Sequence, residues 1–254
     1  MKTPVIFTNW KMNKTLRETK DYFDRFLISA KKYLGKTELF ILVPHTALAM
    51  AAELTGNSGV KVGSQNHFWE DFGPYTGEIS AAMVKDCGGA YALIGHYERR
   101  LQFHESLDSI HCKARASLRN RLIPVICIGE SIEQRQASET EPIIKKQIDA
   151  IFKGFTPYEA ERCYLLYEPY WAVGAENPAQ PSEAQEAHGM IRENIRKSFG
   201  NQTAGKVRIL YGGSVRENNV FRFLVQPDID GVGVGRGGLD PDSFLRIVEI
   251  AASI

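Results

Sequence analysis

The chain has 254 residues, 43% of them hydrophobic, which supplies a core for one large α/β domain or two small ones and indicates no disordered tail. A formal charge of +1, with acids and bases interleaved, excludes a basic face for nucleic acid or membrane while leaving local anion sites open. Four dispersed cysteines (Cys87, Cys112, Cys127, Cys163) make no Cys-x-x-Cys pair, and no apolar run approaches the roughly 20 residues of a membrane helix, so reduced thiols in a soluble, cytoplasmic protein are expected.

Taken in order, Val5 to Thr8 reads as a short strand ending in the polar run Asn9-Trp10-Lys11-Met12-Asn13. Apolar residues from Leu16 to Leu34 recur with a period near 3.6 and predict a helix that stops at Gly35. Leu39 to Val43 is a second strand closed by Pro44, and His45 to Leu54 a short helix. Val60 to Ser64 gives a third strand. It leads into a long loop carrying Trp69, Phe72, Pro74, Tyr75, Thr76 and Gly77, too apolar to be left in water and expected to dock into a partner subunit. Ser80 caps a helix ending at Gly88-Gly89, and Tyr91 to Ile94 is a fourth strand ending at Gly95-His96-Tyr97-Glu98-Arg99-Arg100.

Leu107 to Leu122 has helical spacing, and Pro124 to Ile128 is a fifth strand ending in Gly129-Glu130. Ser131 with Gln134 forms a capping box for one helix running toward Phe152. The sixth strand, Cys163 to Tyr167, stops at Glu168, because Pro169 forbids helix there; a loop with Tyr170, Trp171 and Val173 follows, apolar enough to act as a flap. A helix capped by Ser182 with Gln185 comes next. Val207 to Leu210 and Asp230 to Val234 are the last strands, and Asp240-Pro241 starts a final helix. Eight strand-helix units with strands apolar on both faces predict a single closed (β/α)8 barrel over residues 1–254. The competing doubly wound sheet needs a βαβ unit after Gly231-x-Gly233-x-Gly235, and the chain has none left.

In such a barrel the residues after each strand meet on one face. They are Asn9, Lys11, Gln65, His96, Glu98, Glu130, Glu168, Gly212-Gly213-Ser214 and Gly235. His-x-x-x-His and paired cysteines are missing, so no metal set is expected, and no nucleophile elbow supports acyl transfer. Glycine turns before helices after strands seven and eight suit a phosphate, which makes a small phosphorylated substrate the expected partner. A carboxylate, an imidazole and a cation without a cofactor suit proton transfer beside a carbonyl through an enediolate.

Asn9-Trp10-Lys11-Met12-Asn13, Gly95-His96 with Glu98-Arg99-Arg100, Cys127-Ile128-Gly129-Glu130, Tyr167-Glu168-Pro169 with Trp171-Ala172-Val173-Gly174, and Tyr211-Gly212-Gly213-Ser214-Val215 together resemble the triosephosphate isomerase family over nearly the whole chain. The resemblance implies a TIM barrel working without a cofactor on a small sugar phosphate, as a homodimer. That family is itself a reference case of tuned acid–base pairs: it implies Glu168 as the base and His96 as a neutral electrophile. Lys11, with Asn9 beside it and Glu98 paired to it, is implied to balance the phosphate and enediolate charge. The lid is implied to span Pro169, Tyr170, Trp171, Ala172, Val173, Gly174, Ala175 and Glu176, to about Ala179, with the Gly174 amide on the phosphate. Gly213, Ser214 and Gly235 are implied to complete the phosphate site, and Thr76, in the loop with Phe72, Tyr75 and Gly77, to reach the partner's site.

Three positions depart from the family pattern. Tyr97 replaces the usual serine, and its hydroxyl would reach the base from farther away. The lid reads Gly174-Ala175-Glu176-Asn177-Pro178, placing a carboxylate near the phosphate at a cost of up to about 1 kcal/mol. Arg236 follows Gly235 where a second glycine is usual; positive φ there would cost roughly 1 to 3 kcal/mol, and its guanidinium could bind phosphate or hydroxyls. Lid and turn resemble a branch that isomerises four-carbon ketose phosphates such as L-erythrulose 1-phosphate in erythritol breakdown, so three- and four-carbon substrates both stay open. A catalytically inactive, sugar-phosphate-binding barrel is the reading of another class, opposed by intact Lys11, His96 and Glu168.

Overall fold

The strands are the apolar runs, and they are short because each crosses a barrel wall once. A computed structural model describes residues 2–172 and 179–254. Its strands are β1 (Val5–Asn9), β2 (Glu38–Val43), β3 (Lys61–Ser64), β4 (Tyr91–Ile94), β5 (Ile123–Ile128), β6 (Tyr164–Tyr167), β7 (Arg208–Tyr211) and β8 (Gly231–Val234). All pair in parallel in chain order, and β8 closes on β1 through Val5↔Gly231 to Thr8↔Val234. The expected TIM barrel is the fold found.

Helices surround it: α1 (Leu16–Ala30), α2 (His45–Thr55), α3 (Ala81–Asp86), α4 (Tyr97–Gln102), α5 (Leu107–Arg119), α6 (Ile132–Gln136), α7 (Thr140–Ile151), α8 (Pro157–Glu161), α9 (Pro181–Lys206, broken at Gly200), α10 (Val220–Leu224) and α11 (Pro241–Ala251). Among the described residues no helix is long and apolar enough to cross a membrane.

Alternation along the strands divides the core in two. Phe7, Phe40, Leu42, Tyr91, Leu93, Val125, Cys127, Leu166 and Leu210 fill the barrel, while Ile6, Ile41, Ala92, Ile126, Leu165 and Ile209 face the helices. Phe40 stacks on Phe7 at 4.8 Å and on Tyr91 at 3.8 Å. The Tyr91 and Tyr164 hydroxyls both donate to Glu38 Oε1 at 2.7 Å, so the N-terminal end is plugged and only the C-terminal end opens.

Two local expectations are corrected. The segment after Ser131 is two helices, α6 and α7, because the chain turns at Ser138 with φ +59°. The helix expected to be capped by Ser182 and Gln185 starts at Pro181, where the Gln180 amide donates to Glu183 at 2.7 Å; the proline fixes the first turn and moves the cap two residues back. The run after Gly95 leads into α4, which begins at Tyr97. In the aromatic loop, Phe68 stacks on Trp69 at 4.1 Å and packs on Tyr75 at 4.5 Å, but Phe72 remains 83% exposed.

Candidate active site

Because the strands are apolar along their length and parallel, the first polar groups after them gather at the open rim. There a cavity of about 1230 Å³ is lined by Asn9, Lys11, His96, Tyr97, Glu98, Glu168, the loop of residues 212–218 and the turn of residues 235–237.

Glu168 stands at the end of β6, only 2% exposed. Its Oε1 lies 3.1 Å from His96 Nε2, and its Oε2 accepts the Tyr97 backbone N–H at 3.2 Å. Burial pushes this carboxyl up, but the His96 ring, the Cys127 thiol and the Tyr97 amide outweigh it and hold the group below its ordinary value, hence ionised. The close fit needs a glycine on β7's exit, for a Cβ at Gly212 would stand 2.9 Å from Glu168 Cγ.

His96 is the N-cap of α4, and its Nδ1 accepts the Glu98 amide at 3.3 Å. An amide only donates, so Nδ1 carries the lone pair, and the hydrogen-bond pattern assigns the proton of a neutral ring to Nε2, facing Glu168. That places a base and an N–H donor side by side, each able to turn to a substrate between them.

Lys11 adopts φ +53°, a conformation that costs an ordinary side chain roughly 1 to 3 kcal/mol. Asn9 accounts for it: its Oδ1 accepts the Lys11 amide at 2.9 Å and folds the loop over the rim. The Lys11 ammonium then meets Glu98 Oε1 at 2.5 Å, across from β1 to α4, as expected.

The lid base is built on Glu130. This fully buried carboxylate accepts the Tyr167 hydroxyl at 2.8 Å and Trp171 Nε1 at 3.2 Å, and Arg135 lies over the Trp171 ring at 4.8 Å. Glu130 thus serves as a structural residue that fixes its loop and does not open onto the cavity. Tyr170 to Ala172 form a 3-10 turn after Pro169, and the Ala172 carbonyl accepts the Ser214 hydroxyl at 2.9 Å, linking lid base to glycine loop. The expected lid residues Val173, Gly174, Ala175 and Glu176 lie outside the described residues.

The expected residues Asn9, Lys11, His96, Glu98, Glu168, Gly213, Ser214, Gly235 and Arg236 all line the one cavity. Gln65 does not; its side-chain amide donates to the Leu42 carbonyl at 3.1 Å. Phe72, Tyr75, Thr76 and Gly77 belong to the aromatic loop and also stand outside the cavity wall. Two expectations about the departures are corrected. Arg236 has no positive φ; it opens a 3-10 turn, Arg236–Gly238, so the anticipated strain does not arise. The Tyr97 hydroxyl approaches Glu98 Oε1 at 3.4 Å instead of Glu168, which is served by the backbone amide of the same residue. From sequence, Gly212 belongs to the glycine turn and Cys127 only to a motif, and neither is expected beside the base; strand alternation points Cys127 into the barrel, but only the fold reveals the carboxylate next to both.

The triosephosphate isomerase family profile matches residues 4–251. A triosephosphate isomerase of Dictyoglomus thermophilum is 40% identical over 249 residues, covering 98% of this chain and 100% of the relative. One from Symbiobacterium thermophilum is 41% identical over 253 residues, covering 99% and 98%. The crystal structure of the Bartonella henselae triosephosphate isomerase superposes with a TM-score of 0.87 at 34% identity, covering 98% of both chains.

Proposed function

The chain belongs to the triosephosphate isomerase family, and on that premise we propose that it interconverts dihydroxyacetone phosphate and glyceraldehyde 3-phosphate by proton transfer through an enediolate. The observation that carries the reading is the 3.1 Å juxtaposition of an ionised Glu168 and the Nε2 of His96 in the cavity that also holds Lys11. Glu168 takes the proton from the carbon beside the carbonyl and returns it to the neighbouring carbon. The Nε2–H of His96, which lies 3.1 Å from Glu168 Oε1, serves the two oxygens in turn once substrate stands between donor and base. The Lys11 charge offsets the enediolate and phosphate, while Asn9 holds its backbone and Glu98 its ammonium. Gly213, Ser214 and Gly235 bring backbone N–H groups to the phosphate, with the Arg236 guanidinium beside them. The lid from Pro169, through Gly174 and Glu176, closes over the phosphate and excludes water. Residues 1–254 act as one barrel domain in the cytoplasm.

The relatives support the three-carbon substrate and give the four-carbon alternative of erythritol breakdown no support. The discriminating experiment is a side-by-side assay: the protein should convert dihydroxyacetone phosphate rapidly in a coupled dehydrogenase assay, and slow turnover there with fast turnover of L-erythrulose 1-phosphate would overturn the substrate assignment.

Homodimerisation is part of the same reading. Phe72, at 83%, and Tyr75, at 41%, expose apolar surface on the loop that also carries Thr76 and Gly77, which suits insertion into a second copy with Thr76 near its site. Light scattering should give twice the chain mass; a stable monomer at micromolar concentration contradicts it.

A further inference from the structure

Tyr97 follows His96 directly, is half-buried, and lines the active-site cavity, yet the proton transfer gives its side chain no part. Its ring stacks on Tyr170, the first residue of the turn at the lid base, at 5.9 Å and 29°. The Lys11 ammonium lies 5.3 Å from the centre of the same ring, and the His96 ring 4.8 Å away. The hydroxyl reaches Glu98 Oε1 at 3.4 Å, the oxygen that also binds Lys11. Burial raises the phenol above its ordinary value, so it stays protonated and donates. One side chain therefore touches the cation, the helix that carries the imidazole, and the segment two residues beyond the base.

We propose that the aromatic ring of Tyr97 is a positioning element of the isomerase site, holding the Lys11 ammonium and the lid base at Tyr170 in register with His96 and Glu168. The inference rests on the isomerase reading. Lysine's flexible stem leaves its ammonium many positions, and Glu98 restrains it from one side only; the ring face supplies a second, electrostatically attractive side. The stack on Tyr170 fixes the far edge of the ring, so displacement of the lid base and displacement of the cation are one event. The hydroxyl contact is long and contributes less than the ring.

The test compares Tyr97→Phe, which keeps the ring, with Tyr97→Leu, which keeps bulk but loses it, in the wild-type and Tyr170→Leu backgrounds. Tyr97→Phe should stay within about 3-fold of wild-type kcat/KM, and Tyr97→Leu should lose about 10- to 30-fold, with thermal midpoints alike. The Leu substitution should cost markedly less when Tyr170 is already Leu. Equal damage from Phe and Leu, no damage from Leu, or strictly additive effects would overturn the proposal. Should the Leu variant not fold, Tyr97→Met carries the same comparison. Absence of turnover of both dihydroxyacetone phosphate and L-erythrulose 1-phosphate in the wild type sinks the isomerase reading together with this inference, whereas wild-type turnover that Tyr97→Leu leaves intact sinks the inference alone.

Discussion

At the scale of single residues, chemistry depends on small displacements. Glu168 is held by three donors, His96 and the Tyr97 amide at the start of α4 and the Cys127 thiol on β5. Such a group cannot follow its carbon if the side chain is shortened. Glu168→Asp keeps the charge but withdraws the carboxylate by one methylene, about the 1 Å displacement that costs on the order of 10²-fold in rate. The expected outcome in steady-state kinetics is a kcat lower by about that factor with KM little changed, because Lys11 and the glycine turns still bind the phosphate. Unchanged kcat would mean that another group takes the proton.

At the scale of elements, barrel closure rests on one unusual strand. In β8, Gly231 faces Val5 of β1 so closely that a Cβ would stand 2.1 Å from the Val5 carbonyl oxygen. Gly231, and Gly233, whose Cβ would stand 2.5 Å from the Phe7 ring, are therefore packing requirements of the seam and not part of a nucleotide fingerprint, while Gly235 meets no such neighbour. Gly231→Ala should lower unfolding stability by about 1 to 3 kcal/mol in denaturant titrations, since strand backbones cannot separate without breaking the ladder. An unaffected midpoint would show that the seam yields. The same elements show what a sequence can display. Strands β1 to β8 and the polar groups after them were readable because apolar runs and turn residues are local signals. The break at Ser138, the shift of a helix start to Pro181 and the folded-back Lys11 were not, because each is decided by a neighbour: a positive φ imposed by the turn, a cap from Glu183, an acceptor from Asn9. Site membership was legible through motif position. The partners of Tyr97, which lie on three elements, required the fold.

At the scale of the whole molecule, two buried histidines are expected to limit stability in acid. His67 is 1% exposed; Nδ1–H donates to the Phe68 carbonyl at 2.8 Å, so Nε2 accepts the Ser117 hydroxyl at 2.7 Å, and the ring is neutral. Burial lowers it to about 4. His188 is fully buried between Tyr167 and Tyr211, both ring nitrogens without a hydrogen-bond partner among the described residues, and burial lowers it to about 3. Unfolded, both take up a proton as pH falls through about 6.5. Folded, they refuse it until about 4 and about 3. The unfolded state therefore binds more protons throughout that window, and stability declines as pH drops from about 6.5, each histidine contributing up to about 1.4 kcal/mol per pH unit. By pH 4.5 the pair removes about 5 kcal/mol, comparable with the whole stability of an ordinary domain. Urea midpoints at pH 7, 5.5 and 4.5 should fall accordingly. His188→Phe keeps a ring in the same apolar site and removes no hydrogen bond, so its midpoints should fall about half as steeply; parallel curves for the two proteins would place the acid sensitivity elsewhere.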